Sequence, residues 1–223
     1  MMFVLKSSKW IAPKTLEEAE YIQNEMLKYL ILRPLNISDV SLIAGVDVSY
    51  TNDEALGIVV VINRNFEVVE VISQTTKVLF PYVPGFLAFR EAPVILKCFE
   101  KLQFKPDLVL FDGQGIAHPR RLGIATHIGI ILDLPTIGVA KSLLCGRCER
   151  PEKVGQATEL KDKNNDIIGY CYLSKSGTKP IIISPGYKTD LKSSLCIVQS
   201  LLNGYKLPEP VRLAHYYSQK LKN

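Results

Sequence analysis

The chain has 223 residues, of which 47% are hydrophobic and 22% charged, and its formal net charge is +5. This is the composition of an ordinary globular protein, and it excludes the disordered, collagen-like and disulfide-framework classes. The length and the even composition predict a single domain over residues 1–223. The small excess of basic residues mildly favours a polyanionic partner.

The sequence shows no sign of export or membrane insertion. No apolar run approaches the ~18 residues that a membrane span needs, and the apolar stretch at the N-terminus is too brief for a signal peptide. We therefore expect a cytoplasmic protein that does not enter a membrane. We also expect a monomer. Five cysteines, an odd number, favour reduced thiols. Cys145 and Cys148 form a lone C-x-x-C, so zinc and redox roles are disfavoured.

The first third of the chain predicts one helix and a meander of strands. Thr15 and Glu18 have the spacing of a capping box, and apolar residues recur on one face over residues 16–32, which predicts an amphipathic helix ended by Pro34. Three β-rich runs follow, and the short polar turns between them indicate antiparallel pairing. The runs cover residues 41–50, 57–63 and 66–76.

Helices and strands then alternate. Three antiparallel strands followed by parallel strands with crossover helices predict a mixed α/β sheet covered by helices. The predicted helices cover residues 85–102, 121–133, 189–202 and 209–221, and the predicted strands 107–111, 135–140, 167–174 and 180–184, with a polar stretch at 145–166.

Three acidic residues stand out. Asp47 lies in the middle of an apolar strand, where a lone carboxylate needs a cation, hydrogen-bond donors or protonation to offset its burial. Asp112 ends a second apolar strand at the edge where α/β sheets usually bind ligands, and Glu91 lies in the first turns of the intervening helix. An isolated acid is more often structural, but three that converge would suit Mg²⁺, which prefers oxygen ligands.

Two loops have unusual sequences. Gly113-Gln114-Gly115 follows Asp112 and lacks the third glycine of a dinucleotide fingerprint, because His118 stands in its place. Its backbone amides could still meet a flat ring or a phosphate, although a plain turn before a helix explains the same residues. Pro81-Tyr82-Val83-Pro84 fixes a tyrosine between prolines; it is either a rigid wedge that unstacks bases or a strand end packed on the core.

Two further residues are candidates for work on phosphates. Lys141 directly follows the strand 135–140 and could offset charge on a phosphate, though most lysines at strand ends meet only water. His215 lies on a C-terminal helix in a region rich in basic residues and could bind metal or position water, whereas a packed or surface histidine is the commoner outcome. We expect His127 to be structural.

The chain resembles the endonuclease V family along nearly its whole length. The motifs that carry the resemblance, in family order, are Gly45-Val46-Asp47, Pro81-Tyr82-Val83-Pro84-Gly85, Phe89-Arg90-Glu91, Phe111-Asp112-Gly113-Gln114-Gly115 with Ala117-His118-Pro119, Gly138-Val139-Ala140-Lys141-Ser142 and Ser184-Pro185-Gly186. The resemblance implies a ribonuclease-H-like fold and Mg²⁺-dependent cleavage, with Mn²⁺ as a substitute. The cut would fall at the second phosphodiester bond 3′ of hypoxanthine and leave 3′-hydroxyl and 5′-phosphate ends.

The resemblance also implies roles for single residues. Asp47, Glu91 and Asp112 resemble the metal-binding carboxylates, His215 a further catalytic-site residue and Lys141 a residue close to the phosphates. Pro81, Tyr82, Val83 and Pro84 resemble the strand-separating wedge, and the residues that resemble the base pocket are Gly85, Leu87, Gly113, His118, Ile124, Gly138 and Ala140. Tyr187 is a departure, since many relatives carry histidine there.

The implied partner is inosine-containing nucleic acid, with DNA favoured over RNA. An inosine-specific endoribonuclease and a non-catalytic binder of deaminated nucleic acid remain alternatives. So does a metal-dependent phosphatase acting on small molecules. Products of chain cleavage, rather than free phosphate or mere binding, would separate these activities.

Overall fold

The computed structural model describes residues 10–51 and 53–222. Residues 1–9, where the signal-peptide prediction falls, and Asn52 of the first predicted turn lie outside the described residues. The helices are α1 (Leu16–Leu27), α2 (Leu87–Lys101), α3 (Ile124–Leu132), α4 (Leu191–Ser200) and α5 (Glu209–Lys222), and the strands are β1 (Leu42–Thr51), β2 (Glu54–Asn63), β3 (Val68–Lys77), β4 (Leu108–Phe111), β5 (Thr136–Ala140), β6 (Ala157–Lys161), β7 (Ile167–Tyr172) and β8 (Ile181–Tyr187).

The eight strands form one mixed sheet in the order β3-β2-β1-β4-β5-β8-β7-β6. The first three strands pair antiparallel, and β1, β4 and β5 run parallel at the centre. The predicted mixed α/β sheet flanked by helices is therefore confirmed. The remaining strands differ from the prediction of parallel strands, because β8, β7 and β6 all pair antiparallel.

Two elements differ most from the predictions, helix α1 and strand β6. Helix α1 ends at Leu27 rather than at residue 32. Over residues 28–30 each backbone amide bonds to the carbonyl oxygen three residues earlier, and the backbone then extends. In the extended part, the carbonyl oxygen of Ile31 accepts a hydrogen bond of 2.7 Å from the amide of Lys188. Strand β6 lies inside the stretch 145–166, predicted only as polar. It is an edge strand in which only Leu160 is fully buried, so its residues carry almost no apolar alternation.

The helices cover both faces of the sheet. Helices α1, α2 and α3 pack on one face, where Met26, Phe89 and Ile128 belong to one buried core. Helices α4 and α5 pack on the other face, where Val198 and Val211 belong to a second core. Since alternate residues of a strand point to opposite faces, β1 contributes Ala44 and Val46 to the first core and Ile43 to the second.

The cysteines differ from the prediction of reduced thiols. Cys148 and Cys171 form a disulfide across a Cα–Cα distance of 6.4 Å, whereas Cys98, Cys145 and Cys196 are free. The prediction is wrong for this pair because β7 carries Cys171 against the segment before β6, a proximity that a count of cysteines cannot reveal. Within residues 10–51 and 53–222, no helix is long and apolar enough to cross a membrane.

Candidate active site

Two acidic residues meet where the central parallel strands end. Val46 of β1 pairs with Phe111 of β4, so Asp47 and Asp112 follow paired positions on neighbouring strands. The amide of Asp112 lies 3.5 Å from the carbonyl oxygen of Val46. Glu91 approaches from α2, and the three carboxylates line one cavity of about 200 Å³. Parallel pairing of the two apolar strands thus brings together the acids that the sequence marked.

Helix α5 supplies the partners of Asp47. The buried hydroxyl of Ser218 donates a hydrogen bond to Oδ2 of Asp47, and Nδ1 of His215 lies 3.4 Å from the same oxygen. The two residues are three apart, so they share one face of the helix. The side chain of His215 is 47% exposed, which leaves it open to a ligand beside the cavity.

Glu91 is held by a tyrosine that the sequence did not mark. The hydroxyl of Tyr50 donates to Oε1 of Glu91 at 2.9 Å, and the guanidinium of Arg90 lies 4.5 Å above the tyrosine ring. Burial raises the pKa of Glu91 to about 8, and the nearby charges of Asp47 and Asp112 add to the rise. The carboxyl of Glu91 is therefore half protonated near pH 8 when no cation is bound.

Asp112 has a cation of its own. Its Oδ2 accepts a hydrogen bond from Nζ of Lys141, which follows β5 and is 44% exposed. Burial raises the pKa of Asp112, and the ammonium of Lys141 offsets part of that rise. One lysine thus balances only part of the negative charge that gathers in this cavity.

The three carboxylates fit a hard divalent cation by ligand type and by charge. Oxygen ligands are those that Mg²⁺ prefers, and burial, which raises the pKa values of Glu91 and Asp112, makes their negative charge costly unless a cation offsets it. Within residues 10–51 and 53–222, however, no three His, Cys, Asp or Glu side chains are arranged to coordinate one ion. The acids are instead turned toward Tyr50, Lys141 and Ser218.

The segment Pro81-Tyr82-Val83-Pro84 forms an exposed loop next to α2. Tyr82 is 67% exposed, so the alternative of a strand end packed on the core is not what the structure shows. The loop is fixed at both ends: Nη1 of Arg90 donates to the carbonyl oxygen of Phe80 at 2.9 Å, and the amide of Phe86 donates to that of Val83 at 2.9 Å. A tyrosine ring is thereby presented to solvent on a rigid support.

Beside this loop lies a second, mostly apolar cavity. It contains four of the residues predicted for the base pocket: Gly85, Leu87, His118 and Ile124. Its other lining residues are Ala88, Gln114, Leu122, Gly123 and Leu144.

The other three predicted pocket residues do not line this cavity. Gly113 packs against Ile124, and Ala140 is buried in the small core around β6 and β7. Gly138 lies under the loop 113–115, where an added Cβ would stand 2.3 Å from the amide of Gly115. Glycine is required there because two backbones approach so closely. Gly138 therefore supports the pocket rather than lining it.

The carbonyl oxygen of Gly85, at the end of the tyrosine loop 81–84, accepts hydrogen bonds from α1 and from the turn 118–120. It accepts hydrogen bonds from Nε2 of Gln23 at 3.0 Å, Nε2 of His118 at 2.9 Å and Nη2 of Arg120 at 3.2 Å. Because Nδ1 of His118 accepts from the amide of Arg120, the ring proton lies on Nε2. Burial lowers the pKa of His118 to about 4, so the imidazole is neutral near pH 7. Gly85 itself has a φ of +85°, which favours glycine.

Comparison with known proteins identifies the family. The endonuclease V family model matches residues 24–216. This chain belongs to the endonuclease V family. Endonuclease V of Dictyoglomus thermophilum is 44% identical over 224 residues, a match that covers 100% of this chain and 96% of that relative. The resemblance found in the motifs is thus confirmed, and the family is one of nucleases.

Solved structures of endonuclease V share this fold. That of Bacillus subtilis superposes with a TM-score of 0.89 at 34% identity and covers 95% of this chain and 94% of its own. Endonuclease V of Ciona intestinalis, with a TM-score of 0.84 at 27% identity, covers 94% of this chain and 98% of its own. It was solved in complex with a 24mer DNA containing an inosine followed by a ribo-adenosine. These likenesses confirm the predicted fold class.

Several residues lie outside the candidate active site. Tyr187, noted in the sequence as a departure from the family resemblance, pairs with Thr136 at the far end of β5, and its hydroxyl donates to Asp133 at 2.9 Å. Its hydroxyl is therefore hydrogen-bonded at the end of β5 that lies opposite the carboxylates. Lys188, from the basic C-terminal region, pairs with Asp133 at 2.9 Å, also far from the carboxylates. His127 is fully buried, with Nε2 2.8 Å from the carbonyl oxygen of Trp10, as expected of a structural histidine.

Proposed function

We propose that this endonuclease V is a Mg²⁺-dependent enzyme of DNA repair. It recognises hypoxanthine in DNA, cleaves the second phosphodiester bond 3′ of that base and leaves 3′-hydroxyl and 5′-phosphate ends. The observation that carries the proposal is a cavity lined by Asp47, Glu91 and Asp112, with an exposed tyrosine loop and a mostly apolar cavity nearby. Support also comes from the Ciona intestinalis relative, which was solved with inosine-containing DNA.

The carboxylates would hold the metal. Asp47, Asp112 and Glu91 supply oxygen ligands, and Mn²⁺ would substitute for Mg²⁺ because it accepts the same ligand type. When bound, the ion would supply Lewis acidity for the attack of water and for the leaving 3′-oxygen. Tyr50 and Ser218 orient two of the carboxylates through hydrogen bonds. Such contacts to metal ligands set their direction and basicity.

Lys141 and His215 would act on the phosphate. Both are about half exposed beside the carboxylates, so a polynucleotide can reach them from solvent. The ammonium of Lys141 would offset negative charge that develops on the phosphorus oxygens during the cut. His215 would position water or donate to a phosphate oxygen within reach of Asp47.

Tyr82 and the apolar cavity would recognise the lesion. An enzyme that reads a single base must turn it out of the helix and contact its Watson–Crick edge. Tyr82, rigidly presented, would fill the space that the base leaves. The cavity that begins at Gly85 lies directly beside the loop and would receive the base.

An inosine-specific endoribonuclease is the second candidate. The DNA bound to the Ciona intestinalis relative carries a ribo-adenosine after the inosine, so a 2′-hydroxyl is accepted at that position of that protein. The same carboxylates would serve either substrate. The substrate sugar therefore has to be tested directly.

The test uses end-labelled DNA and RNA strands that each carry one inosine, with inosine-free strands as controls, in Mg²⁺ and then in EDTA. We expect Mg²⁺-dependent cleavage whose 5′-end fragment is one nucleotide longer than the fragment from a cut directly 3′ of the lesion. We expect more of this fragment from DNA than from RNA. Faster cleavage of RNA would favour the endoribonuclease. Binding of inosine strands without any cleavage would refute the proposal that this protein is an enzyme.

A pair of variants tests the carboxylate role. Asp112→Ala should abolish cleavage and largely spare inosine-specific binding. Asp39→Ala removes an exposed carboxylate from a 3₁₀ turn outside the site, and it should cleave at the rate of the wild type. A full cleavage rate for Asp112→Ala would remove this residue from the metal site.

A further inference from the structure

A groove lies between two loops that the proposed mechanism does not use. One side consists of residues 150–154, which lead toward β6, and the other of residues 173–179, which join β7 to β8. Its volume is about 940 Å³. We call it the basic groove, because its lining, among the residues that the structure describes, contains three basic side chains and one acidic side chain. These are Arg150, Lys153 and Lys179, and Glu152.

The three cations of the basic groove are open to solvent. All three residues are exposed, and within residues 10–51 and 53–222 none of them forms an ion pair. Glu152 is exposed as well and offsets one of the three charges at most. An anion can therefore bind here without breaking an ion pair of the protein. The groove suits a ligand that carries several negative charges along its length.

Both sides of the groove are held in place. The disulfide between Cys148 and Cys171 joins the two segments two residues before each side begins. On the first side, Oε1 of Gln156 accepts hydrogen bonds from the amides of Glu152 at 2.7 Å and Lys153 at 3.2 Å. A surface that is already ordered loses less conformational entropy when a ligand binds.

The groove lies at the edge of the sheet where Lys141 and the carboxylates are found. Lys141 follows Ala140 of β5, and Ala140 pairs with Ile182 of β8. The neighbouring Ile181 pairs with Tyr172, the last residue of β7. Two spacings of ~4.8 Å separate β5 from β7, so the groove begins roughly 10 Å from the end of β5. One strand of a nucleic-acid duplex advances ~3.4 Å per nucleotide, so this distance corresponds to about three nucleotides.

We propose that the basic groove binds phosphates of the substrate strand about three nucleotides from the cut. This inference rests on the proposed function, since it takes the cut to occur at the carboxylates. An acidic peptide would match the charge of the groove as well. The shared sheet edge favours nucleic acid, because a strand held beside Lys141 reaches the groove without a second binding event. Contacts to the backbone add affinity for any sequence and no preference for a base.

The test compares three inosine strands in EDTA. The full strand extends about ten nucleotides to either side of the expected cut, which is more than enough to reach the groove. Each of two half strands keeps one of these arms, while its other arm stops about two nucleotides from the cut, too short to reach the groove. All three strands contain the inosine. The path past the groove is therefore present in the full strand and in one half strand.

Two double variants with the same change in net charge are compared on these strands. Lys153→Gln with Lys179→Gln removes two cations of the groove. Lys97→Gln with Lys163→Gln is the control, since Lys97 is exposed on α2 and Lys163 is exposed in the turn at the other end of the β6–β7 hairpin.

We expect the groove variant to bind the full strand about tenfold more weakly than the control, the worth of two exposed ion pairs. The same loss should occur on one half strand and on a full strand without inosine, but not on the other half strand. The slope of log affinity against log salt should fall by about 1.4, since each lost phosphate contact removes ~0.7 on a single strand. Equal losses on both half strands, or a loss confined to inosine strands, would overturn the inference.

The same proteins separate this inference from the proposed function. If the wild type cuts inosine strands and the groove variant matches the control in affinity and salt slope, the proposed function stands and the role of the groove is overturned. A wild type that neither binds nor cuts inosine strands overturns both.

Discussion

Substitution of Glu91 tests how strongly the buried carboxylates need a cation. Glu91→Gln keeps the shape of the side chain and an acceptor for Tyr50, but it removes the charge. Burial raises the pKa of Glu91 from 4.5 to about 8, so the folded chain holds a proton that the unfolded chain releases between these values. The stability from this proton is fully present below pH 4.5 and is lost as the pH rises to 8.

The size of the effect follows from the shift in pKa. From pH 5 to pH 9 the wild type should lose stability over roughly three pKa units at ~1.36 kcal/mol each, which is about 4 kcal/mol. Water that enters the cavity solvates part of the charge, so we expect about 2–4 kcal/mol. The glutamine variant does not lose stability in this way. The free energy of unfolding of the variant minus that of the wild type should therefore be about 2–4 kcal/mol larger at pH 9 than at pH 5.

The assay is urea unfolding in EDTA at pH 5 and pH 9, followed by circular dichroism. Glu100→Gln, at an exposed position on the same helix, is the control and should show no such gain. Mg²⁺ at pH 9 should narrow the difference by stabilising the wild type more than Glu91→Gln. A free-energy difference between wild type and variant that is equal at both pH values would refute the assignment of a buried, uncompensated carboxylate.

Three further predictions test other parts of the molecule. Ser218→Ala removes the donor to Asp47 and should raise the Mg²⁺ concentration for half-maximal cleavage about tenfold; an unchanged titration would contradict the positioning role. Gly138→Ala places a methyl group 2.3 Å from a backbone amide and should destabilise the fold by about 2 kcal/mol or more, which thermal unfolding would detect as a lower midpoint. Cys148→Ser opens the disulfide to Cys171, 23 residues away, and should cost about 3 kcal/mol without reductant, but nothing in dithiothreitol.

The parts of the fold with strong local patterns could be predicted from the sequence. The strands β1 and β4 are apolar over most of their length, and the helix α2, which lies between them in the sequence, has a 3.6-residue apolar period. Strand β6 was missed because its stability comes from pairing with β7 and not from its own residues. The early end of α1 depends on a contact with Lys188, which no local pattern reveals.

The same division holds for the candidate active site. An aspartate in an apolar strand signals a function because its burial is costly, so Asp47 could be found from sequence alone. Its partner Ser218 is 171 residues away, and Gln23 is 62 residues from the carbonyl oxygen that it binds. Serine and glutamine are common, and only the folded chain shows what they touch.

The loop after β4 places a proposed metal ligand and a wall of the apolar cavity within three consecutive residues. Asp112 lines the carboxylate cavity, and Gln114 lines the other. If each cavity works as proposed, a redesign of the enzyme for another damaged base would disturb the cutting centre whenever it altered this loop. Leu87 and Leu144, which line the apolar cavity from other segments of the chain, offer the safer route to a new preference. Evolution within the family would meet the same restriction.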